Sequence, residues 1–185
     1  MPFSKFIVFP IFVALQAAAM MFFAPMIWSG SDVLGKGFVV WIAFQSWAMY
    51  FLGGCSVKMA GKTIIGYIGG ICASIAIIEM AGVFSGLGTF GLPAAVFVVV
   101  IPVMCVEKIK ILDFIPAWFM GSAVFFSFKT GYIAEGSMGY MEIAAPEMIA
   151  CVTGLAFGWV TVTFRTKYEA MVMPAAKKEE NKDAA

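Results

Sequence analysis

Apolar residues along this chain gather into six long blocks, at about residues 6–28, 37–54, 63–84, 88–106, 111–128 and 145–164. Short connections carrying most of the Lys, Asp and Glu residues separate them. A helix needs about 20 mostly apolar residues to cross roughly 30 Å of hydrocarbon, and each block meets or approaches that length. The fifth is the shortest and has Pro116 in its first turns, where proline is tolerated, so it reads as a tilted or partly broken helix. The first is too long and too rich in Phe for a signal peptide, and no small-residue cleavage pattern follows it. It therefore reads as a span. The pattern predicts an all-α integral membrane protein with six transmembrane helices within residues 1–173.

Composition points the same way. The 185-residue chain is 62% hydrophobic and 12% charged, with mean hydropathy +0.96. Soluble domains run near 45–50% apolar and about 25% charged. The closing segment PAAKKEENKDAA (174–185) has no aromatic or large aliphatic residue, buries nothing, and reads as a disordered cytoplasmic tail. A net charge of +1 offers no basic face for nucleic acid.

Basic residues set the orientation. With six spans and the N-terminus inside, Lys5, Lys58, Lys62, Lys108, Lys110, Arg165 and Lys167 fall on the cytoplasmic side. Only Lys36 and Lys129 fall outside, with the acids Asp32, Glu135, Glu142 and Glu147. Both termini are then cytoplasmic. The outer connection 130–146, with its two tyrosines, is expected to lie partly on the membrane interface.

Two segments echo one another. FQSWAMYF (44–51) and FMGSAVFF (119–126) lie 75 positions apart and share Phe, Ala and Phe in the same columns, with Trp47 opposite Ser122. The third block carries Gly66, Gly70 and Ser74, and the sixth carries Ala150, Gly154 and Gly158, each a stripe of small residues four apart. Such a stripe lets a neighbouring backbone approach closely, so these six positions read as helix packing. Matching stripes in the third and sixth helices suggest a 3+3 inverted repeat, because an odd number of crossings reverses the second copy.

The stretches SWAMYFLGG (46–54), FIPAWFMGSAVFF (114–126) and TGLAFGW (153–159), set before a charged tail, resemble the YcdZ-like family of small bacterial inner-membrane proteins. That family is grouped under a domain of unknown function, DUF1097. The similarity covers roughly residues 37–178. It implies a membrane fold and a location in the bacterial inner membrane, and it carries no activity or substrate.

Few residues within the blocks could carry chemistry. A polar group in hydrocarbon is costly unless satisfied, which singles out Gln16, Gln45, Ser46 and Ser122. Gln16 reads most simply as an interhelical hydrogen bond. For Gln45 and Ser46, inside the repeated segment, packing and a solute path stand on even terms. Glu79 reads as the one acid within the membrane, since Asp113 and Glu147 stand at the edges of their blocks. It lies about 24 Å along the third helix, so it is either a loop-bonded carboxylate at the interface or a charge at the outer mouth of a path. Asp113 reads as favouring the N-terminus of the fifth helix. Most aromatics read as lipid-facing or as interfacial belts, with Trp28 and Tyr168 as examples. Trp47 and Trp118, on the repeated segments, are candidates for a constriction selecting by size. Val98 and Val99 read as facing lipid.

Histidine is absent, no C-x-x-C occurs, and Cys55, Cys72, Cys105 and Cys151 are scattered, which reads as packing and leaves no metal or cofactor site and no catalytic group. No nucleotide motif occurs. The expectation is a channel or facilitator for a small, uncharged solute. Its path runs between the second and fifth helices of two inverted halves, and the protein self-associates into a homo-oligomer in the lipid bilayer. The alternative is an accessory subunit of a membrane complex that transports nothing.

Overall fold

The computed structural model describes residues 3–27, 38–130 and 139–183. Trp28, Asp32, Lys36 and Glu135 lie outside the described residues, as does most of the connection expected at 130–146. The described chain is built from α1 (Phe3–Phe6), α2 (Val8–Ile27), α3 (Phe38–Leu52), α4 (Val57–Val83), α5 (Gly91–Cys105), α6 (Ile115–Thr130) and α7 (Tyr140–Asp183). Short 3₁₀ segments, Phe84–Phe90 and Val106–Lys108, flank α5. Among the described residues there is no strand.

Three stretches are long and apolar enough to cross a membrane: Phe3–Phe23, Val57–Lys108 and Tyr140–Val172. The second takes in both α4 and α5, and Val40–Leu52 adds a shorter apolar helix. The protein is an all-helical membrane protein. Its exposed side chains agree with that solvent. One side of α5 presents Leu92, Val96, Phe97, Val98, Ile101 and Met104, an apolar surface that lipid covers at no cost and water does not. Val99, expected on that surface with Val98, instead turns inward and packs with Ile77 and Ala95.

Helix boundaries depart from the sequence blocks in physically simple ways. At the first turn, Cys55 N–H donates to the Tyr50 carbonyl and Gly54 N–H to the Phe51 carbonyl, both at 3.0 Å. That pair of bonds closes α3 as a Schellman motif, and Gly54 takes the left-handed conformation (φ +80°) that the motif needs. Ser56 then caps α4, its hydroxyl accepting from Met59 N–H at 3.2 Å, so α4 starts six residues before the apolar block does. At the far end of the chain, α7 begins at Tyr140 and takes Pro146 and Glu147 into the helix. It also continues to Asp183, so the backbone of 174–183 is helical where the composition predicts disorder. Ala, Lys and Glu are good helix formers, and propagation from an existing helix adds a hydrogen bond per residue without a new nucleus.

Two long helix pairs hold the bundle: α3 lies along α7, and α4 lies along α6. Helix α4 also crosses α7 and carries α5 on its flank, while α2 rests on α3 and α7. Both long pairs depend on glycine. A Cβ on Gly70 would strike the Trp118 carbonyl oxygen and come within 2.6 Å of Ser122 N. One on Gly154 would strike the Ala43 carbonyl oxygen and the Ser46 hydroxyl. In each pair the backbones touch because no side chain intervenes.

Candidate functional site

The two glycine contacts are related by the sequence registers. The 75-residue offset between the echoed segments sets Ala43 opposite Trp118, and the stripes set Gly70 opposite Gly154. Gly70 abuts the Trp118 carbonyl, and Gly154 abuts the Ala43 carbonyl. In those registers the same kind of contact is made twice, once between α4 and α6 and once between α3 and α7. The rest of each stripe packs similarly, Gly66 against Ala117 and Gly158 against Tyr50.

Serines stitch both contacts. Ser46 Oγ donates to the carbonyls of Ala43 (3.0 Å) and Ala150 (3.2 Å), bridging α3 to α7. Ser74 Oγ and Ser122 Oγ lie 2.7 Å apart, bridging α4 to α6. Ser46 and Ser122, expected beside a path, are therefore bonded into helix contacts. Gln16 behaves as its simplest reading predicts. Its Oε1 accepts from Thr161 Oγ1 at 2.9 Å, and its Nε2 reaches the Phe157 carbonyl at 3.5 Å, tying α2 to α7.

The aromatic candidates divide. Trp47 is buried, stacked on Phe44 at 5.9 Å and tilted against Phe157, and its Nε1 has no hydrogen-bond partner. Trp118 is half-buried, lies over Gly69 and donates Nε1–H to the Leu112 carbonyl at 3.1 Å. With Ser122 it edges a void of about 30 Å³ between α4, α5 and α6, close to the share of space one water takes up in the liquid. Gln45 is exposed at the middle of α3, facing away from the bundle. Ala43 and Trp47 of α3 and Val124, Phe125 and Phe128 of α6 belong to one buried cluster with Ile71, Ile143 and Ala150. A larger recess of about 460 Å³ lies between α2, α3 and α7, bounded by Phe9, Val13, Phe51, Thr161 and Arg165.

Two acids change places relative to the sequence reading. Glu79 is exposed and accepts a 2.6 Å hydrogen bond from Tyr140 OH, a carboxylate tied to the start of α7. Glu147, read as lying outside, is completely buried inside the stretch long enough to cross the membrane. Neither of its carboxyl oxygens has a hydrogen-bond partner among the described residues. The Tyr67 hydroxyl, also buried, has none either. Tyr67 shares a buried cluster with Cys151, which stands one helical turn beyond Glu147 on α7. Sequence reasoning missed this group because Pro146 and Glu147 look like a loop end. The signal available was spacing: Glu147 and Cys151 stand four apart, one position behind the Ala150–Gly154 stripe, and so continue a buried face. Asp113, expected to serve the helix N-terminus, pairs with Lys62 at 2.5 Å and pins the start of α6 to α4.

The family described as "Protein of unknown function (DUF1097)" matches this chain over residues 8–165. No curated protein and no solved structure matches it.

Proposed function

The chain belongs to the DUF1097 family of proteins of unknown function, and we propose that it is a small membrane channel or facilitator for an uncharged solute, here in a closed form. In this reading six spans form two inverted three-helix halves in a bacterial inner membrane, with both termini cytoplasmic. The observation that carries it is the doubled contact, Gly70 on the Trp118 carbonyl and Gly154 on the Ala43 carbonyl. The two glycines stand 84 positions apart and the two carbonyl residues 75 apart, and each glycine makes the same approach to its carbonyl. Inverted repeats recur in transporters and channels, with the path at the interface of the halves. Trp47 and Phe125 both belong to the buried cluster at that interface, so opening would need this cluster to part. Stopped-flow swelling of proteoliposomes across a panel of small neutral solutes tests the reading. Permeability equal to empty liposomes for every solute overturns it.

One observation favours the accessory-subunit reading. Gln45 sits mid-helix on the outer face with Trp41, and its amide has no hydrogen bond within the described chain. An amide in hydrocarbon gains from a partner helix, and either a second copy or another subunit supplies one. Cross-linking through Cys placed at Gln45 separates the two. Like-with-like cross-links support the homo-oligomer, and cross-links only to a different chain support the accessory role.

A further inference from the structure

The crossing of α4 and α7 holds a group that the facilitator reading leaves unused. Glu147 and Tyr67 are both fully buried, and their three oxygen atoms lack any hydrogen-bond partner. A carboxylate in that setting must have its charge balanced. Neither the Lys62–Asp113 pair nor the Arg165–Glu169 pair includes it, and neither carboxyl oxygen has a hydrogen-bond partner among the described residues. The remaining way to balance it is a bound cation, and the smallest cation is the proton.

Helix α4 contributes the Tyr67 hydroxyl, and α7 itself contributes the Cys151 thiol. Helix α3 brings Tyr50 into the same cluster, but its hydroxyl already donates to the Cys55 carbonyl at 3.1 Å. Helix α6 brings Ala117 and Met120, which do not titrate.

The register of the two halves sharpens the point. Counting by the stripes, Tyr67 is equivalent to Cys151, and Thr63 is equivalent to Glu147. Thr63 is buried too, but its hydroxyl donates to the Met59 carbonyl at 2.9 Å within its own helix. One half therefore carries a satisfied neutral group where the other carries an unsatisfied acid. An element able to bias one half against the other needs such a difference.

We propose that Glu147, with the Tyr67 hydroxyl, forms an occluded proton-binding site at the α4–α7 crossing, and that loading and unloading this proton gates the solute path. The proton enters from an aqueous face and leaves to one, the carboxylate becoming the acid and back, with no other reactant. The gating half rests on the facilitator reading; the binding half does not.

Infrared difference spectra of the full chain in nanodiscs, titrated with pH, test the binding half. The expected result is a carbonyl-stretch band of an un-ionised carboxylic acid that disappears as pH rises, while the helical amide band and the elution profile stay constant. The band should be missing from Glu147→Gln. A Glu147 band that never titrates while the fold persists overturns the proposal, and so does the absence of any such band. If Glu147→Gln does not assemble, Tyr67→Phe probes the same site by removing one oxygen. It should shift the band or its titration, and an unchanged band refutes the pairing. Flux in proteoliposomes then separates the two ideas. Titration without flux leaves the proton site standing and ends the facilitator reading. Flux that ignores pH, beside a Glu147 that does titrate, overturns the gating half.

Discussion

Replacing Gly154 by Ala adds one methyl group at the tightest place in the bundle. The new Cβ would sit on the Ala43 carbonyl oxygen and the Ser46 hydroxyl, and 2.8 Å from the Ala43 carbonyl carbon. Two of those three atoms are backbone, so no side chain can swing aside and α3 must move away from α7. Overpacking of this kind costs about 1–3 kcal/mol. Moving α3 also breaks the hydrogen bond from Ser46 to the Ala150 carbonyl, adding a net loss of about 0.5–1.5 kcal/mol. The expected total is about 2–4 kcal/mol. Gly70→Ala should behave alike, because it meets the Trp118 carbonyl and Ser122 N in the other pair. Gly61 is the control. Nothing lies within 4 Å of a Cβ there, and Ala is better than Gly in a helix by about 1 kcal/mol. Unfolding of the purified protein in one detergent, followed by fluorescence and by loss of the monodisperse elution peak, ranks the three variants. Gly154→Ala and Gly70→Ala should fall below wild type, and Gly61→Ala should equal or exceed it. Should Gly154→Ala unfold with wild type, the α3–α7 backbone contact is absent and the doubled contact loses half its basis.

Three further expectations follow from single contacts. On the proposed topology, a phosphatase fused to the C-terminus should be inactive and a fluorescent reporter there bright, because the bias of Lys and Arg predicts that end to be cytoplasmic; an active phosphatase removes the even number of spans. Gln16→Leu leaves Thr161 with only its bond to the Phe157 carbonyl, and unfolding should be easier by about 0.6–1.7 kcal/mol, the range of interhelical bonds in membranes; no change would mean α2 is held by apolar packing alone. Asp113→Lys should loosen α6 from α4, and adding Lys62→Asp should restore part of the loss; the partly exposed pair limits the effect to about 1 kcal/mol. A double variant no better than the single one would show that the ion pair is incidental.

Much of the fold was legible because hydrocarbon demands long apolar runs, and such runs are visible without knowing what packs where. The helix edges were less so. Ser56 begins α4 through one hydroxyl-to-amide bond, and residues 57–62 include two lysines that hide the helix from a hydropathy count. The mistaken side for Val99 has the same origin: α5 is apolar all round, and only the positions of Ile77 and Ala95 decide which valine turns inward. The stripes were readable in advance because a small side chain has little use in a membrane helix except close approach.

The candidate site was half legible, and the reason lies in what one chain position can reveal. Ser46, Ser122 and Gln16 stand out as polar letters among apolar ones, yet the letters do not say whether a neighbour already satisfies them. In the fold each has a partner on another helix, so each serves helix packing. Glu147 did not stand out, since it follows Pro146 at the edge of a block, and helix α7 begins seven residues earlier than the acid itself. Burial without a partner is a property of the whole α4–α7 crossing, to which Tyr67 contributes from a point 80 residues away. That separation also indicates where function would reside. Polar groups satisfied within one helix pair hold that pair together, whereas the buried acid at the α4–α7 crossing has no such partner among the described residues, so its stability depends on what else that crossing supplies.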